Sequence, residues 1–429
     1  MGNQRIQLFK HTLGELLDVT RGMSLPGSNY ATSGKLIRLT LGNFDYGGNG
    51  FKENTSKDNI YYSGKVPEAF ILKAGDIITP LTEQTPGLLG TTARIPQSGK
   101  YIQSQDVALI TCKPDKLDPL FCYYLVSSSI VKQQLAAGSQ QTKIRHTSPD
   151  KIKACIVYIP EDLTIQHQIG ELLTSIDEKI ILNCKANAEL EALAKRYYDY
   201  WFVQFDFPDK NGNPYKSNGG KMVWNKELKR EIPEGWIASN ICKIADILSG
   251  GTPSKTIKQY WENGNLPFFG PTDYNGNVFQ IETADHITQE GLDHCASSLF
   301  EEGVIIITAR GSIGKLVIVG TPMAMNQSCY ALRSKNDECE YLYYLTIQLI
   351  DCLKAKGSGS VFKSIIASDI ENSSLCIAEE SMVTRFCKVV KPFLRTIKNN
   401  TIEISELTKQ RDELLPLLMN GQVSVNSDL

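Results

Sequence analysis

Two long segments of the chain place apolar residues every seven positions, which is typical of a helix that packs along another helix. The first segment, 165–202, contains no proline. The second repeats its register at a shift of 217 residues, from 169 to 386. The pattern predicts two related helices of roughly 55 Å at ~1.5 Å per residue. Their predicted contact residues, called the spacer core below, are Ile169, Ile176, Asn183, Leu190, Phe386, Phe393, Asn400 and Leu407.

Asn183 and Asn400 occupy the same heptad position near the two helix midpoints. An asparagine in a helix interface costs stability and fixes register. Antiparallel helices would bring the midpoints together so that the two amides bond each other, and parallel helices in register would do the same. The order along the chain is globule, helix, globule, helix, and it favours an antiparallel coiled coil with pseudo-two-fold symmetry. The alternative is two separate amphipathic helices, each packed on its own globule.

The region before each helix is also repeated. Short runs rich in Ile and Val alternate with turns and a few helical segments, and Tyr123-Tyr124-Leu125 in the first copy matches Tyr343-Tyr344-Leu345 in the second. A period of this length indicates two copies of a whole domain. We therefore predict α/β (mixed α+β) globular domains in two paralogous copies, each followed by a long α-helix.

Composition narrows the class of protein. The 429 residues include 11 cysteines with no CxxC pair, which argues against a disulfide framework or a zinc ribbon. The start, MGNQRIQLFKHT, lacks an apolar secretory segment, and no apolar run approaches the ~18 residues of a membrane span. We expect a soluble, cytoplasmic protein with reduced thiols.

The net charge of −2 hides an uneven distribution. Residues 1–155 hold 18 Lys and Arg against 12 Asp and Glu, a net +6. Residues 236–375 hold 10 against 15, a net −5. The first globule is therefore the better electrostatic partner for phosphate, and the second needs its acidic residues turned away from DNA or help from partner subunits.

Glycine-punctuated turns carry the candidate DNA contacts. Arginine, glutamine and asparagine can pair with base edges, whereas lysine suits phosphate. For any single residue, the alternative is an ordinary solvated surface position. The candidates are Gln140, Gln141, Lys143, Arg145, Arg310, Lys315, Asn326, Gln327 and Lys363.

Motifs of catalysis are missing from the sequence. A methyltransferase would need a PP dipeptide in its catalytic motif, and the chain has none. RGSIGKL at 310–316 has glycine spacing too short for a phosphate loop, the five histidines form no HxxxH pair, and no Gly-x-Ser-x-Gly elbow occurs. We expect no catalytic residue, no bound metal and no cofactor in this chain.

Several strings, in this order, resemble the specificity (S) subunits of type I restriction–modification systems. They are the heptad segment 168–180, YWFVQF at 200–205, IPEGW at 232–236 and LLPLLMNGQV at 414–423. The resemblance covers essentially the whole chain. It implies a first target-recognition domain at 1–160, a spacer helix at 161–205, a connector at 206–235, a second recognition domain at 236–379, a second spacer helix at 380–423 and a tail at 424–429.

The resemblance also implies a function. Each recognition domain would read one half of a bipartite site in double-stranded DNA, and the helices would set the half-site separation and dock methyltransferase (M) subunits. A restriction and translocation (R) subunit would join them. S-adenosylmethionine, ATP and Mg²⁺ would then be bound by partner subunits. The competing hypotheses are a coiled-coil scaffold that binds only proteins, and a stand-alone nuclease or methyltransferase.

Overall fold

The computed structural model describes residues 6–45, 50–83, 87–138, 145–356 and 364–423. The chain forms two compact units. The first unit combines Met1–Ile180 with Glu406–Leu429, and the second is Ile181–Ser405. Residues 406–423 therefore belong to the same unit as the described residues between 6 and 180.

The predicted pair of long helices is present. They are α5, with 36 residues, and α9, with 40 residues. The helices in chain order are α1 (Leu13–Leu16), α2 (Pro119–Ser127), α3 (Ser129–Ala137), α4 (Pro149–Lys153), α5 (Leu163–Tyr198), α6 (Gln289–Asp293), α7 (Cys339–Lys356), α8 (Ala367–Glu371) and α9 (Glu380–Met419). In the part of the chain described, no helix is both long and apolar enough to cross a membrane.

Twelve short strands lie within the described residues of the first unit. They are β1 (Phe9–Thr12), β2 (Leu17–Arg21), β3 (Tyr30–Ala31), β4 (Leu36–Arg38), β5 (Tyr61–Tyr62), β6 (Ile77–Pro80), β7 (Thr82–Glu83), β8 (Ala93–Arg94), β9 (Tyr101–Ile102), β10 (Val107–Cys112), β11 (Arg145–His146) and β12 (Ile156–Ile159). One antiparallel sheet has the order β2-β10-β6-β8, and a second, mixed sheet has the order β3-β5-β4-β9. Strand β1 pairs with β12, and β7 with β11.

The second unit repeats this plan. Its strands are β13 (Met222–Asn225), β14 (Arg230–Pro233), β15 (Ile237–Ser239), β16 (Ala245–Ser249), β17 (Leu266–Phe269), β18 (Phe279–Gln280), β19 (Asp285–Ile287), β20 (Ile305–Thr308), β21 (Leu316–Val319), β22 (Ala324–Met325), β23 (Cys329–Ser334) and β24 (Leu375–Ile377). The main sheet has the order β16-β23-β20-β21-β18, so its first three strands match β2-β10-β6. Each unit is thus a mixed α/β domain, as the repeat predicted.

Each unit encloses an apolar core to which the long helices contribute. In the first, Ile169 and Leu173 of α5 share a core with Leu418 and Met419 of α9 and with Leu13. In the second, the aromatic end of α5 packs into a large cluster that includes Phe386 of α9. Burial of these side chains fixes which helix faces point inward.

The segment between the first helix and the second domain holds more structure than its Gly-, Pro- and Asn-rich composition indicates. A π-helical turn at Asp199–Val203 ends α5, and β13 and β14 form an antiparallel hairpin. Phe207 and Ile232 are buried in the core of the second unit, and the Phe207 ring stacks on Trp236 at 5.1 Å. A few large side chains spread among turn residues give no periodic signal, although they suffice to order the segment.

Candidate nucleic-acid interface

Three connections meet by backbone hydrogen bonds in the first unit. Leu81 follows β6, and its N–H donates to the carbonyl oxygen of Asp106 at 2.8 Å. The N–H of Thr147, just after β11, donates to the carbonyl oxygen of Leu81 at 2.8 Å. This set of residues, called the first junction, joins loops that lie far apart in the sequence.

The second unit contains the same arrangement. Ala309 follows β20, and its N–H donates to the carbonyl oxygen of Ser328 at 2.8 Å. The N–H of Ile365 donates to the carbonyl oxygen of Ala309 at 2.9 Å. These residues form the second junction. Ala309 follows β20 and Ser328 precedes β23, as Leu81 follows β6 and Asp106 precedes β10, and Ile365 lies shortly before α8 as Thr147 lies before α4. The two units therefore carry two copies of one loop platform.

Four candidate DNA contacts lie beside the second junction. Arg310 is exposed, and its N–H donates to the Ser328 carbonyl at 3.3 Å, which brings the Arg310–Lys315 turn next to the loop of Asn326 and Gln327. Lys315 is also exposed, and its Nζ lies 5.3 Å from the ring centroid of Tyr274. Lys363 lies outside the described residues.

The side chains of Asn326 and Gln327 differ in their exposure and in their hydrogen bonds. Asn326 is half-buried, and its side-chain oxygen accepts from the Ser328 N–H at 2.9 Å. A Cβ on Gly250 would stand 2.1 Å from the Asn326 carbonyl oxygen, so only glycine permits this close approach. Gln327 is exposed, and its amide oxygen accepts from the Thr252 hydroxyl. The first residue therefore shapes the loop, while the second presents an amide to solvent.

In the first unit, Gln140, Gln141 and Lys143 lie outside the described residues, and Arg145 is engaged with Glu83. Arg145 Nη1 donates to Glu83 Oε1 at 3.4 Å. The other oxygen of Glu83 accepts the backbone N–H groups of Gly87, Leu88 and Leu89 at 2.9–3.1 Å. Glu83 is only 2% exposed, so its carboxylate ties the loop after β7 to β11.

A polar cavity of about 350 Å³ opens beside the first junction, and sequence patterns did not single it out. Its lining includes Arg38, Asn54, Lys57, Gln105 and Asp106. Gln105 and Asp106 occupy the positions that Gln327 and Ser328 occupy in the second unit, immediately before β10 and β23. The cavity is thus the counterpart, in the first unit, of the surface that carries Gln327.

Arg38 is the most constrained cation in this cavity. It is 8% exposed, and its guanidinium carbon lies 3.9 Å from the ring centroid of Tyr30. Nε and Nη2 donate to the backbone and side-chain oxygens of Asn59 at 3.2 and 3.4 Å. Among the described residues, Nη1 has no hydrogen-bond partner. The far edge of the guanidinium is therefore held ready for an anion or a base edge.

The spacer core is buried or half-buried throughout. Ile169, Ile176, Asn183 and Phe386 are buried, and Leu190, Phe393, Asn400 and Leu407 are half-buried. Asn183 and Asn400 do not bond each other, which corrects the expected amide pair. Asn183 Nδ2 donates to Glu403 Oε2 at 2.7 Å, and Asn400 Nδ2 donates to Asn187 Oδ1 at 2.9 Å. The helices are offset by about one turn from the register that would align the two asparagines.

No cluster of three or more His, Cys, Asp or Glu side chains that could hold a metal ion exists within the described residues. Burial raises the pKa of Cys155 and of Cys376 to about 11. Thiols with such a pKa stay protonated near neutral pH, so these two are poor nucleophiles.

Comparison with known proteins agrees with the fold and the repeat. The family profile of the type I restriction modification DNA specificity domain matches residues 10–192 and again 233–409. The MjaIX type I restriction enzyme specificity subunit of Methanocaldococcus jannaschii is 28% identical over 315 residues, which cover 71% of this chain and 69% of that protein. The HindI type I restriction enzyme specificity subunit of Haemophilus influenzae is 22% identical over 377 residues, covering 75% and 81%.

A solved structure shares the fold across the full length. The S subunit of a type I restriction–modification system from M. genitalium aligns with a TM-score of 0.62 at 17% identity. The alignment covers 100% of this chain and 99% of that one.

Proposed function

The chain belongs to the type I restriction modification DNA specificity domain family, and we propose that it is the DNA sequence-specificity subunit of a type I restriction–modification complex. The observation that carries the proposal is the loop junction that recurs in both units, at Leu81 and at Ala309. Each junction reads one half of a bipartite site in double-stranded DNA. Two modest half-site affinities multiply when one protein holds both readers.

The residues around each junction have different roles in DNA recognition. Beside the second junction, Arg310 and Gln327 have exposed groups that suit base edges, and Lys315 suits a phosphate. In the first unit, Arg38 supplies a fixed guanidinium, while Arg145 acts through Glu83 on the loop shape. Gln140, Gln141, Lys143 and Lys363 remain candidates, as does Asn326 through its backbone.

The two long helices act as the spacer. We infer an antiparallel coiled coil with pseudo-two-fold symmetry, since partner numbers fall in α9 as they rise in α5. Asn183 bonds Glu403, Asn187 bonds Asn400, and the ring of Tyr197 lies 6.0 Å from that of Phe393. The spacer sets the separation of the half-sites and docks the M subunits. The recognition domains are 1–160 and 236–379, with spacer helices 161–205 and 380–423, connector 206–235 and tail 424–429.

The methylation and cleavage reactions are carried out by the partner subunits. The chain is a non-catalytic subunit, and M subunits bind S-adenosylmethionine while an R subunit uses ATP and Mg²⁺. Because the substrate is cellular DNA, the assembly works in the cytoplasm. A scaffold without DNA affinity is the competing function, and the fixed, open guanidinium of Arg38 in a domain of net charge +6 favours DNA.

Methylome sequencing of cells with and without this chain, in the presence of its M subunits, tests the proposal. We expect a bipartite motif with methylated adenine that vanishes when the chain is deleted. Substituting Arg310 and Gln327 by alanine should alter only one half of the motif. A methylome that is unchanged by deletion, together with no salt-dependent DNA binding of the M–S complex, would leave the scaffold as the function.

A further inference from the structure

An ion pair between the buried Arg411 and the half-buried Asp177 joins α9 to α5 in the first unit. Arg411 is 7% exposed, and its Nη1 donates to Asp177 Oδ1 at 3.0 Å. Its Nη2 donates to Asp412 Oδ1 at 2.8 Å. The hydroxyl of Tyr124, on α2, donates to Asp177 Oδ2 at 2.7 Å. Both oxygens of Asp177 therefore have a donor, and the guanidinium has two carboxylate partners.

Apolar residues stand at the equivalent positions in the second unit. The 217-residue shift carries Asp177 onto Leu394 and Arg411 back onto Ala194. These two are 3% and 0% exposed, and they belong to one apolar core. Tyr344 is the counterpart of Tyr124, and its buried hydroxyl has no hydrogen-bond partner among the described residues. The chain thus carries one charged and one apolar version of the same helix layer.

This difference matters because the two helices share a heptad register. The apolar stripe that lets α5 pair with α9 is also present on α5 and on α9 of a second copy of the chain. In an α5–α5 pair of the same register, Asp177 would lie opposite Ala194. In an α9–α9 pair, Arg411 would lie opposite Leu394. In an α5–α5 pair each Asp177 would lack Arg411, and in an α9–α9 pair each Arg411 would keep only Asp412 of its own helix. Removing one partner of a buried ion pair is strongly unfavourable.

We propose that the Asp177–Arg411 pair selects the partner helix, so that α5 pairs with α9 and rejects the like helix of a second copy of this chain. The pair acts against wrong partners more than it adds stability, because desolvation of both charges offsets much of their attraction. This selection of the partner helix operates whether or not the chain binds DNA.

Cross-linking of the full chain tests the proposal. Cys184 is exposed on α5, and an α5–α5 pair of the same register would place it opposite Asn187 of the other copy. Two Cys184 thiols would then lie within about one turn along the helix axis. Concentrated protein is unfolded, refolded and treated with a short bis-maleimide, and the Cys184–Cys184 peptide is quantified by mass spectrometry. The variant Cys184→Ser sets the background.

We expect wild type to give only background. The double variant Asp177→Leu with Arg411→Ala copies the apolar layer of the second unit, and it should raise the Cys184–Cys184 product by at least about tenfold. Asp177→Asn keeps the shape of the side chain and should give a smaller rise. If the double variant does not fold, Asp177→Asn decides alone. Abundant product from wild type, or folded variants that stay at background, would overturn the proposal.

Discussion

The guanidinium carbon of Arg38 lies 3.9 Å from the ring centroid of Tyr30, so the cation is stacked on an aromatic face at the mouth of a polar cavity. Asn59 holds one edge of the guanidinium through Nε and Nη2. An arginine fixed in this way loses little conformational entropy when it binds a ligand. We therefore propose this open edge as an anchor for DNA in the first unit.

Replacing Arg38 by glutamine should weaken DNA binding of the M–S complex about tenfold or more, because a preorganised charged contact is lost. Fluorescence anisotropy over a range of salt concentrations measures the effect. A phosphate contact lowers the salt slope by about 1, whereas a base contact relaxes the motif at one position.

The exposed Arg333, at the end of β23 away from the second junction, offers a matched control for this loss of charge. Arg333→Gln should leave the affinity and the motif unchanged. Equal losses in the two variants would mean that Arg38 contributes only net charge.

The carboxylate of Glu83 should stabilise the first unit. In Glu83→Gln, an amide NH₂ would face the N–H groups of Gly87, Leu88 and Leu89 or the Arg145 guanidinium, and a buried donor would lose its acceptor. We expect a loss of about 2–4 kcal/mol in the free energy of unfolding. Denaturant unfolding measures it. The half-motif read by the first unit should degrade while the other half persists, and an intact motif would show that the loop keeps its shape without the carboxylate.

Local sequence patterns predicted the two long helices but not the hydrogen bonds between them. Heptad spacing placed both long helices, because one buried stripe fixes their period. The same spacing could not choose between partners for Asn183, since an offset of one turn leaves the apolar stripe in contact and exchanges Asn400 for Glu403. The answer depends on how both helices pack against the domains.

The roles of side chains in the candidate nucleic-acid interface likewise could not be predicted from local patterns. Arg145 has the chemistry of a base contact, yet Glu83, which lies 62 residues earlier, holds it. Arg38 carried no local signal, because its role arises from Tyr30 and Asn59, which are brought beside it by the fold. Turn composition identified the loops beside the junctions. The roles of the side chains within these loops depend on contacts with residues far away in the sequence, and no local sequence pattern predicts those contacts.

The separation of the two half-motifs should depend on the length of the two spacer helices. One added heptad in α5 and one in α9, placed opposite each other near Asn187 and Asn400, keep the stripe aligned and lengthen the helices by about 10 Å. At 3.4 Å per base pair, the gap in the motif should grow by about three base pairs. Methylome sequencing reads the gap directly, and each half-motif should keep its sequence.

A four-residue insertion within 176–190 of α5 alone provides the contrast. It lengthens α5 by about 6 Å against an unchanged α9, so the contacts on the two sides of the insertion cannot both keep their register and assembly should weaken. If either insertion changed the half-motif sequences, the helices would not act as a ruler.

Alkaline pH should destabilise the protein through buried tyrosines. Burial, followed by the nearby charge of Asp177, raises the pKa of Tyr123 to about 12. An unfolded tyrosine ionises near pH 10, so above that pH the unfolded state binds fewer protons than the folded state and stability falls as pH rises. The contribution is complete below pH 10, and about 1.4 kcal/mol of it is gone by pH 11. Guanidinium unfolding at pH 9 and 11 should show a smaller drop for Tyr123→Phe, which keeps the ring against Arg94. An equal drop in both proteins would mean that Tyr123 ionises as readily in the folded state as in the unfolded one.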